Sequence, residues 1–184
     1  MHHVEINGFR MAYRDEGSGP VVLLAHAFPL AALMWNPQIE VLRYNYRVLA
    51  PDLRGFGQSK GAPLDRYATV EEYADDLAAF LQKLGLDREK VVFIGLSMGG
   101  YIAFAFSRKY AQLVRALVLC DTRSEPDTEQ ARQNRFKLIE DLRERGMEAA
   151  VEANLPKLLS AENYVQREDL VADLSRTIYL NDPA

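Results

Sequence analysis

Over residues 4–13 apolar and polar positions alternate around Asn7-Gly8. The pattern predicts two antiparallel strands joined by a tight turn, because Asn-Gly accepts positive φ at both central positions of a two-residue hairpin. Asp15-Glu16-Gly17-Ser18-Gly19-Pro20 then turns the chain, and alternation stops. Four short, almost wholly apolar runs follow at residues 21–25, 47–50, 91–94 and 116–120. Continuous apolar runs mark strands covered on both faces, as in a parallel sheet.

Helical periodicity separates these runs. Asn36-Pro37 reads as an N-cap followed by proline at the first helical position, leading into residues 38–43. Thr69 with Glu72 forms a capping box, and Val70, Tyr73, Ala74, Leu77, Phe80, Leu81 and Leu84 make one apolar stripe that ends at Gly85. Residues 98–110 carry Tyr101, Ile102, Ala103, Phe104, Ala105 and Phe106 without a polar face, which predicts a largely buried helix. Strands alternating with helices imply right-handed crossovers, hence an α/β fold with a doubly wound, mostly parallel sheet and an N-terminal hairpin. After Cys120 only helical signals remain: a start at Asp127 with Gln130, a break near Gly146, another at Asn154-Leu155-Pro156, and a stripe of Leu170, Val171, Leu174 and Ile178. They read as two or three helices inserted over a sheet edge, dividing the chain into a core at 1–122 and a helical cap region at 123–184. The chain reaches Asn181-Asp182-Pro183-Ala184 without another strand signal.

Length and composition narrow the function classes. A chain of 184 residues, 48% hydrophobic, can bury the core of one compact domain. With 22 basic and 26 acidic residues well mixed, it offers no electrostatic footprint for nucleic acid or an anionic membrane. A single cysteine excludes an intrachain disulfide framework, no secretory leader pattern is visible, and the expectation is a cytoplasmic, soluble protein. His2-His3 are not spaced as metal ligands, and no metal or cofactor is expected.

Gly95-Leu96-Ser97-Met98-Gly99, with Gly100 next, falls between a buried strand and a buried helix. In that context a serine occupies a strained turn, small neighbours let strand and helix approach, and Oγ stands clear at the carboxyl end of the sheet. The helix beginning at Met98 aims free N–H groups at any anion formed at Ser97, and the bland reading, a tight strand-helix turn and nothing more, weighs less because the motif sits in this strand-turn-helix context. Stabilising such an anion takes two fixed donors; the Met98 amide is one, and the Phe28 amide in His26-Ala27-Phe28-Pro29-Leu30 is the natural second. His26 is the only histidine beyond the first three residues. It is read as a structural anchor of that loop in preference to a general base, since a base must reach Ser97 with its orientation fixed. Gly55-x-Gly57 invites a dinucleotide reading that fails, because Lys60 stands where the third glycine belongs and no helix opens at the glycines. No phosphate-loop motif is present either, so Pro51-Asp52-Leu53-Arg54-Gly55-Phe56-Gly57-Gln58-Ser59 is read as a loop beside the Ser97 turn, with Asp52 and Arg54 a structural pair.

Four blocks in order, namely His26-Ala27-Phe28-Pro29, Asp52-Leu53-Arg54-Gly55-Phe56-Gly57-Gln58-Ser59, Gly95-Leu96-Ser97-Met98-Gly99-Gly100 and Leu119-Cys120-Asp121-Thr122, resemble the α/β-hydrolase superfamily in its small esterase, lactonase and perhydrolase-like branch. The resemblance implies Ser97 as nucleophile, Phe28 and Met98 as main-chain oxyanion donors, the later helices as a cap, and carboxylic esters or lactones as substrates. It departs at Ala27, where the family has glycine. It also departs after the cap, where the family supplies an acid and a histidine in the order Ser, acid, His. Asp121 is a possible alternative acid, set against a purely structural role, and Cys120 is read as a small buried hydrophobe. The expectation is therefore the N-terminal portion of a hydrolase, lacking the C-terminal part of its core, with the run at 116–120 left as an edge to be covered by a complementing chain, a second copy or a rearranged cap. Two readings compete: a non-catalytic or assembly-dependent module that binds a small ligand or partner, and an enzyme of the same apparatus performing perhydrolysis or C–C bond hydrolysis. A dehalogenase is disfavoured, since that chemistry in this superfamily puts Asp where Ser97 stands. Phe136, Ile139, Leu142, Leu155, Leu158, Leu159 and Tyr164 are the cap residues expected to roof a pocket.

Overall fold

The alternation over residues 4–13 resolves into β1 (His2–Ile6) and β2 (Phe9–Glu16), antiparallel with Ile6 opposite Phe9, in a computed structural model that describes residues 1–59 and 68–181. Asn7 and Gly8 supply the left-handed backbone that the turn requires, with φ of 42° and 83°. Lys60 and Asp182-Pro183-Ala184, on which parts of the sequence reading fell, lie outside the described residues.

The four apolar runs become β3 (Val21–Ala25), β4 (Arg47–Pro51), β5 (Val91–Leu96) and β6 (Val114–Cys120). Strand order among the described residues is β1-β2-β4-β3-β5-β6, with β2 antiparallel to β4 and the contacts β4-β3, β3-β5 and β5-β6 parallel. The carboxyl ends of the four parallel strands open at one end of the sheet, where doubly wound sheets place their sites. Helices cover both faces. On one, α2 (Val70–Lys83) and α3 (Met98–Lys109) bury Leu77, Phe80, Ile102 and Phe106 against Leu23, Leu49 and Phe93. On the other, a 3-10 turn (Ala32–Trp35) and α1 (Asn36–Leu42) bury Trp35 and Ile39 against Val22, Leu24 and Val48. Each such large apolar side chain contributes roughly 1.5–3 kcal/mol of transfer free energy.

The capping box of α2 is present in both directions: Thr69 Oγ1 accepts from the Glu72 amide at 3.2 Å, and the Thr69 amide donates to Glu72 Oε2 at 2.8 Å. Asn36, by contrast, does not cap α1. The 3-10 turn runs directly into the helix, so Asn36 is already helical, Trp35 holds the cap position, and Asn36 Oδ1 accepts from the Arg14 guanidinium.

Asp52 and Arg54 do not pair with each other. Asp52, 2% exposed, accepts the Ala32 and Gln58 amides at 2.8 Å each, and burial pushes its carboxyl up while those amides oppose the shift. Arg54 turns towards α2 and grips Asp76 with Nε and Nη2 at 2.8 and 2.6 Å. Asn7 Nδ2 donates to the same carboxylate at 2.8 Å, and the Arg54 guanidinium lies over the Phe9 ring at 4.8 Å. This buried network ties the loop after β4 to the hairpin and to α2.

The chain divides into Met1–Ser124 and Glu125–Ala184. Among its described residues the second unit holds four helices where two or three were expected: α4 (Glu129–Arg145), α5 (Met147–Leu158), α6 (Ala161–Gln166) and α7 (Glu168–Tyr179). Thr128, not Asp127, caps α4 by accepting the Ala131 amide at 3.2 Å, and the Asp127 carboxylate instead binds Arg135. Gly146, at φ 65°, breaks the chain between α4 and α5 as expected. The break expected at Asn154-Leu155-Pro156 does not occur; α5 runs on to Leu158, because a proline so near a helix end removes a single backbone bond. Along α7 the stripe of Leu170, Val171, Leu174 and Ile178 is the inward face, Ile178 being fully buried. No described residue after Cys120 is in a strand, and no described helix is long and apolar enough to cross a membrane.

Removing one partner of a buried ion pair leaves the other charge uncompensated. Asp76→Ala is expected to lower unfolding free energy by roughly 3–5 kcal/mol in urea titrations; a loss under about 1 kcal/mol would mean that Arg54 finds water instead.

Candidate active site

β5 passes into α3 through one residue, Ser97, at φ 50° and ψ −109°. Such a backbone costs a non-glycine residue about 1–3 kcal/mol and persists only when its surroundings enforce it. The Ser97 amide donates to the Cys120 carbonyl, and the Ser97 carbonyl accepts from the Gly100 amide and from Thr122 Oγ1, each at 2.9 Å. Close packing does the rest. A Cβ on Gly99 would lie 2.1 Å from the Ala25 carbonyl oxygen, one on Gly95 2.3 Å from the Gly99 carbonyl oxygen, and one on Gly100 2.4 Å from Thr122 Oγ1. The glycines of the motif are thus required by the approach of α3 to the ends of β3 and β5. Ser97 itself is half-buried, and its Oγ has no hydrogen-bond partner among the described residues.

The loop after β3 is pinned residue by residue. The Ala27 amide donates to Met34 Sδ at 3.4 Å, the Ala27 carbonyl accepts the Leu30 amide at 2.9 Å, and the Ala32 amide is held by Asp52. Ala27 is not among the positive-φ residues, so its methyl group meets no backbone penalty where the family has glycine. Among the described residues the Phe28 amide has no acceptor, nor has the Met98 amide at the first turn of α3. Two main-chain donors therefore remain unspent, just beyond the ends of the adjacent strands β3 and β5, at the end of the sheet where Ser97 stands.

His26 is fully buried and uses both ring nitrogens. The Leu53 amide donates to Nε2 at 3.0 Å, so the ring proton sits on Nδ1 and is donated to the Ala27 carbonyl at 3.0 Å. Burial lowers the imidazole to about 4, and the Ala27 bond opposes this. His26 is therefore a neutral latch between the loops after β3 and β4, with no nitrogen left for Ser97. His2 and His3 lie on β1, four strands from β5 and roughly 19 Å away at the usual strand spacing. Among the described residues no imidazole meets Ser97.

Asp121 is exposed, with φ 41°, directly after the Cys120 carbonyl that holds Ser97. With Tyr101, Thr122 and Arg123 it lines an open depression of about 290 Å³. Another depression, about 380 Å³, lies between Asn7, α2 and Tyr110 and is not lined by Ser97. Cys120 is half-buried and free, less enclosed than expected, because β6 is an edge of the described sheet. No three His, Cys, Asp or Glu side chains converge as metal ligands among the described residues.

A family model described as alpha/beta hydrolase fold matches residues 20–178. The chain belongs to that family. A thermophilic esterase from Thermogutta terrifontis superposes with a TM-score of 0.91 at 40% identity, covering 100% of this chain and 68% of its own. An enol-lactonase from Burkholderia xenovorans LB400 superposes with a TM-score of 0.89 at 26% identity, covering 99% of this chain and 69% of its own. In sequence, 116 residues are 37% identical to bifunctional epoxide hydrolase 2 of Sus scrofa, 62% of this chain and 20% of that protein. The chain thus matches only about a fifth of that curated relative's length. Its relatives in the alpha/beta hydrolase family are hydrolases of more than one kind: esterase, lactonase and epoxide hydrolase.

Three contributors escaped the sequence reading. Thr122, two residues past the end of β6, supports Ser97, and Phe56 stands edge-on to the His26 ring. Asp76 left a signal, since a carboxylate inside the apolar stripe between Tyr73 and Phe80 implies a buried partner.

Because the native His26 titrates near 4 and an unfolded histidine near 6.5, the unfolded chain alone gains that proton between these values. Its contribution is complete above pH 6.5 and is lost as pH falls towards 4. Between pH 7 and 4.5 the natural chain should lose about 2 kcal/mol more unfolding free energy than His26→Gln. Equal losses in the two proteins would contradict a neutral, buried imidazole.

Proposed function

We propose that residues 1–184 carry the nucleophile and oxyanion-binding half of a serine hydrolase that cleaves carboxylic esters or lactones by acyl transfer. The observation that carries this reading is the strained Ser97 turn beside two unspent amides, those of Phe28 and Met98. Ser97 Oγ adds to the substrate carbonyl, its proton passing to a base, and the carbonyl electrons move onto oxygen. The two amides and the positive end of α3 hold that oxyanion. Its collapse expels the alcohol or opens the lactone ring, leaving an acyl ester on Ser97 that water then hydrolyses.

Nucleophile chemistry selects among the activities of the relatives. A serine that opened an epoxide would be left with an ether on Oγ, which water does not cleave, so turnover would stop. An ester on Oγ is hydrolysed and the cycle closes. The likeness to an esterase and an enol-lactonase supports the same choice.

The base is assigned to polypeptide outside residues 1–184 that pairs with β6. Val118 and Leu119, consecutive and hence on opposite faces, are 42% and 41% exposed, so both faces of this edge lack cover. Cys120 at the end of the strand already holds the Ser97 amide, which brings a strand added there next to the nucleophile.

A fluorophosphonate is expected to label residues 1–184 at Ser97 alone, slowly, and Ser97→Ala is expected to abolish the adduct found by peptide mass spectrometry. No adduct, or an equal one in Ser97→Ala, would favour the non-catalytic module. Turnover of a short-chain chromogenic ester by residues 1–184 alone at about 10 per second, a median enzyme rate, would place the base within this chain and defeat the assignment to β6.

A further inference from the structure

Phe56 belongs to the loop after β4 and carries no group that could react with a carbonyl. Its ring nevertheless meets both residues that shape the Phe28 amide. It stands edge-on to the His26 imidazole, with centroids 5.1 Å apart and planes at 70°, and edge-on to the Phe28 ring at 6.1 Å and 87°. Edge-to-face rings at these separations attract beyond their buried area and fix relative orientation.

The platform beneath Phe56 is rigid. Its amide donates to the Leu53 carbonyl and its carbonyl accepts the Ser59 amide, each at 2.9 Å, while the Gly55 amide donates to the Ser59 carbonyl at 3.1 Å. Ser59 Oγ donates to the Asp52 carbonyl at 2.7 Å and accepts the Ala12 amide at 2.8 Å, which ties the loop to β2. On its other side Arg54 is held by the buried Asp76. Phe28 differs. Hydrogen bonds hold Ala27 before it and Leu30 and Ala32 after it, but the Phe28 amide has no acceptor among the described residues. Its direction follows from the Ala27 carbonyl in the same planar peptide, held by the Leu30 amide at 2.9 Å and by His26 Nδ1 at 3.0 Å, and the ring packed against both His26 and Phe28 belongs to Phe56.

Resting on the hydrolase reading above, we propose that Phe56 is a positioning residue for acyl transfer: its ring, wedged between His26 and Phe28, holds the Phe28 amide at the angle that meets the oxyanion. The role acts in the transition state and not in substrate affinity, because the amide meets full negative charge only once the carbonyl has been attacked.

The test uses residues 1–184 with Phe56→Leu, Phe56→Tyr and Phe28→Leu. One readout is saturation kinetics of Ser97 phosphonylation; the other is the backbone amide NMR resonances of Phe28 and Met98. Losing an oxyanion donor outright costs about 100–1,000-fold in rate, so a displaced donor in Phe56→Leu should lower kinact by about 10–100-fold with KI unchanged. The Phe28 resonance should move and the Met98 resonance should stay. Phe56→Tyr keeps the ring and should restore both the rate and the Phe28 resonance. Should Phe56→Leu not fold, Phe28→Leu breaks the same contact from the other side and should show the same loss of kinact. Natural kinact with an unmoved Phe28 resonance in Phe56→Leu, or natural kinact in Phe28→Leu, overturns the positioning role and leaves the Ser97 reading standing. If the natural chain is not labelled at Ser97, the hydrolase reading fails, and with it the role in acyl transfer.

Discussion

The site depends on how closely α3 approaches the sheet. With the Ala25 carbonyl 2.1 Å from where a Gly99 Cβ would lie, the helix axis sits nearer β3 than any side chain would permit. Ser97, the single residue between β5 and that helix, must then turn the chain with φ 50°. Its strain is held by hydrogen bonds from Gly100 and Thr122 to its carbonyl and from its own amide to Cys120. The same approach leaves the Met98 amide and the positive end of α3 next to the serine. The strained serine and one free amide beside it thus follow from one steric fact.

The second donor depends on a latch built from a buried polar side chain. His26 spends its acceptor on Leu53 and its donor on Ala27, joining two loops that leave neighbouring strands. A neutral imidazole satisfied on both sides is compatible with full burial, whereas a catalytic imidazole needs a free nitrogen and a second protonation state within reach. The structure therefore removes His26 from the chemistry and gives it the scaffold. What the scaffold presents is a Phe28 amide without an acceptor.

Features decided within a few residues were legible in the sequence. Asn7-Gly8 demanded a hairpin, Thr69 and Glu72 demanded a helix start, and Gly95-x-Ser97-x-Gly99 between buried elements demanded the tight turn that is found. Features decided by partners distant in sequence were not. Arg54 chose Asp76, 22 residues away, over Asp52, because Asp52 was already filled by main-chain amides. Asn36 lost its capping role to a 3-10 turn that local propensity does not reveal. Pro156 was tolerated because only the end of α5 follows it. Phe56 looked like one apolar residue in a glycine-rich loop, since ring-to-ring contacts between loops leave no periodicity to read.

The central claim is geometric, and a crystal structure of the Ser97 phosphonate adduct tests it most directly. The phosphonyl oxygen stands where the tetrahedral oxyanion would, and it is expected within about 2.7–3.1 Å of both the Phe28 and Met98 nitrogens. An adduct whose oxygen points to solvent, or meets neither amide, would contradict the account.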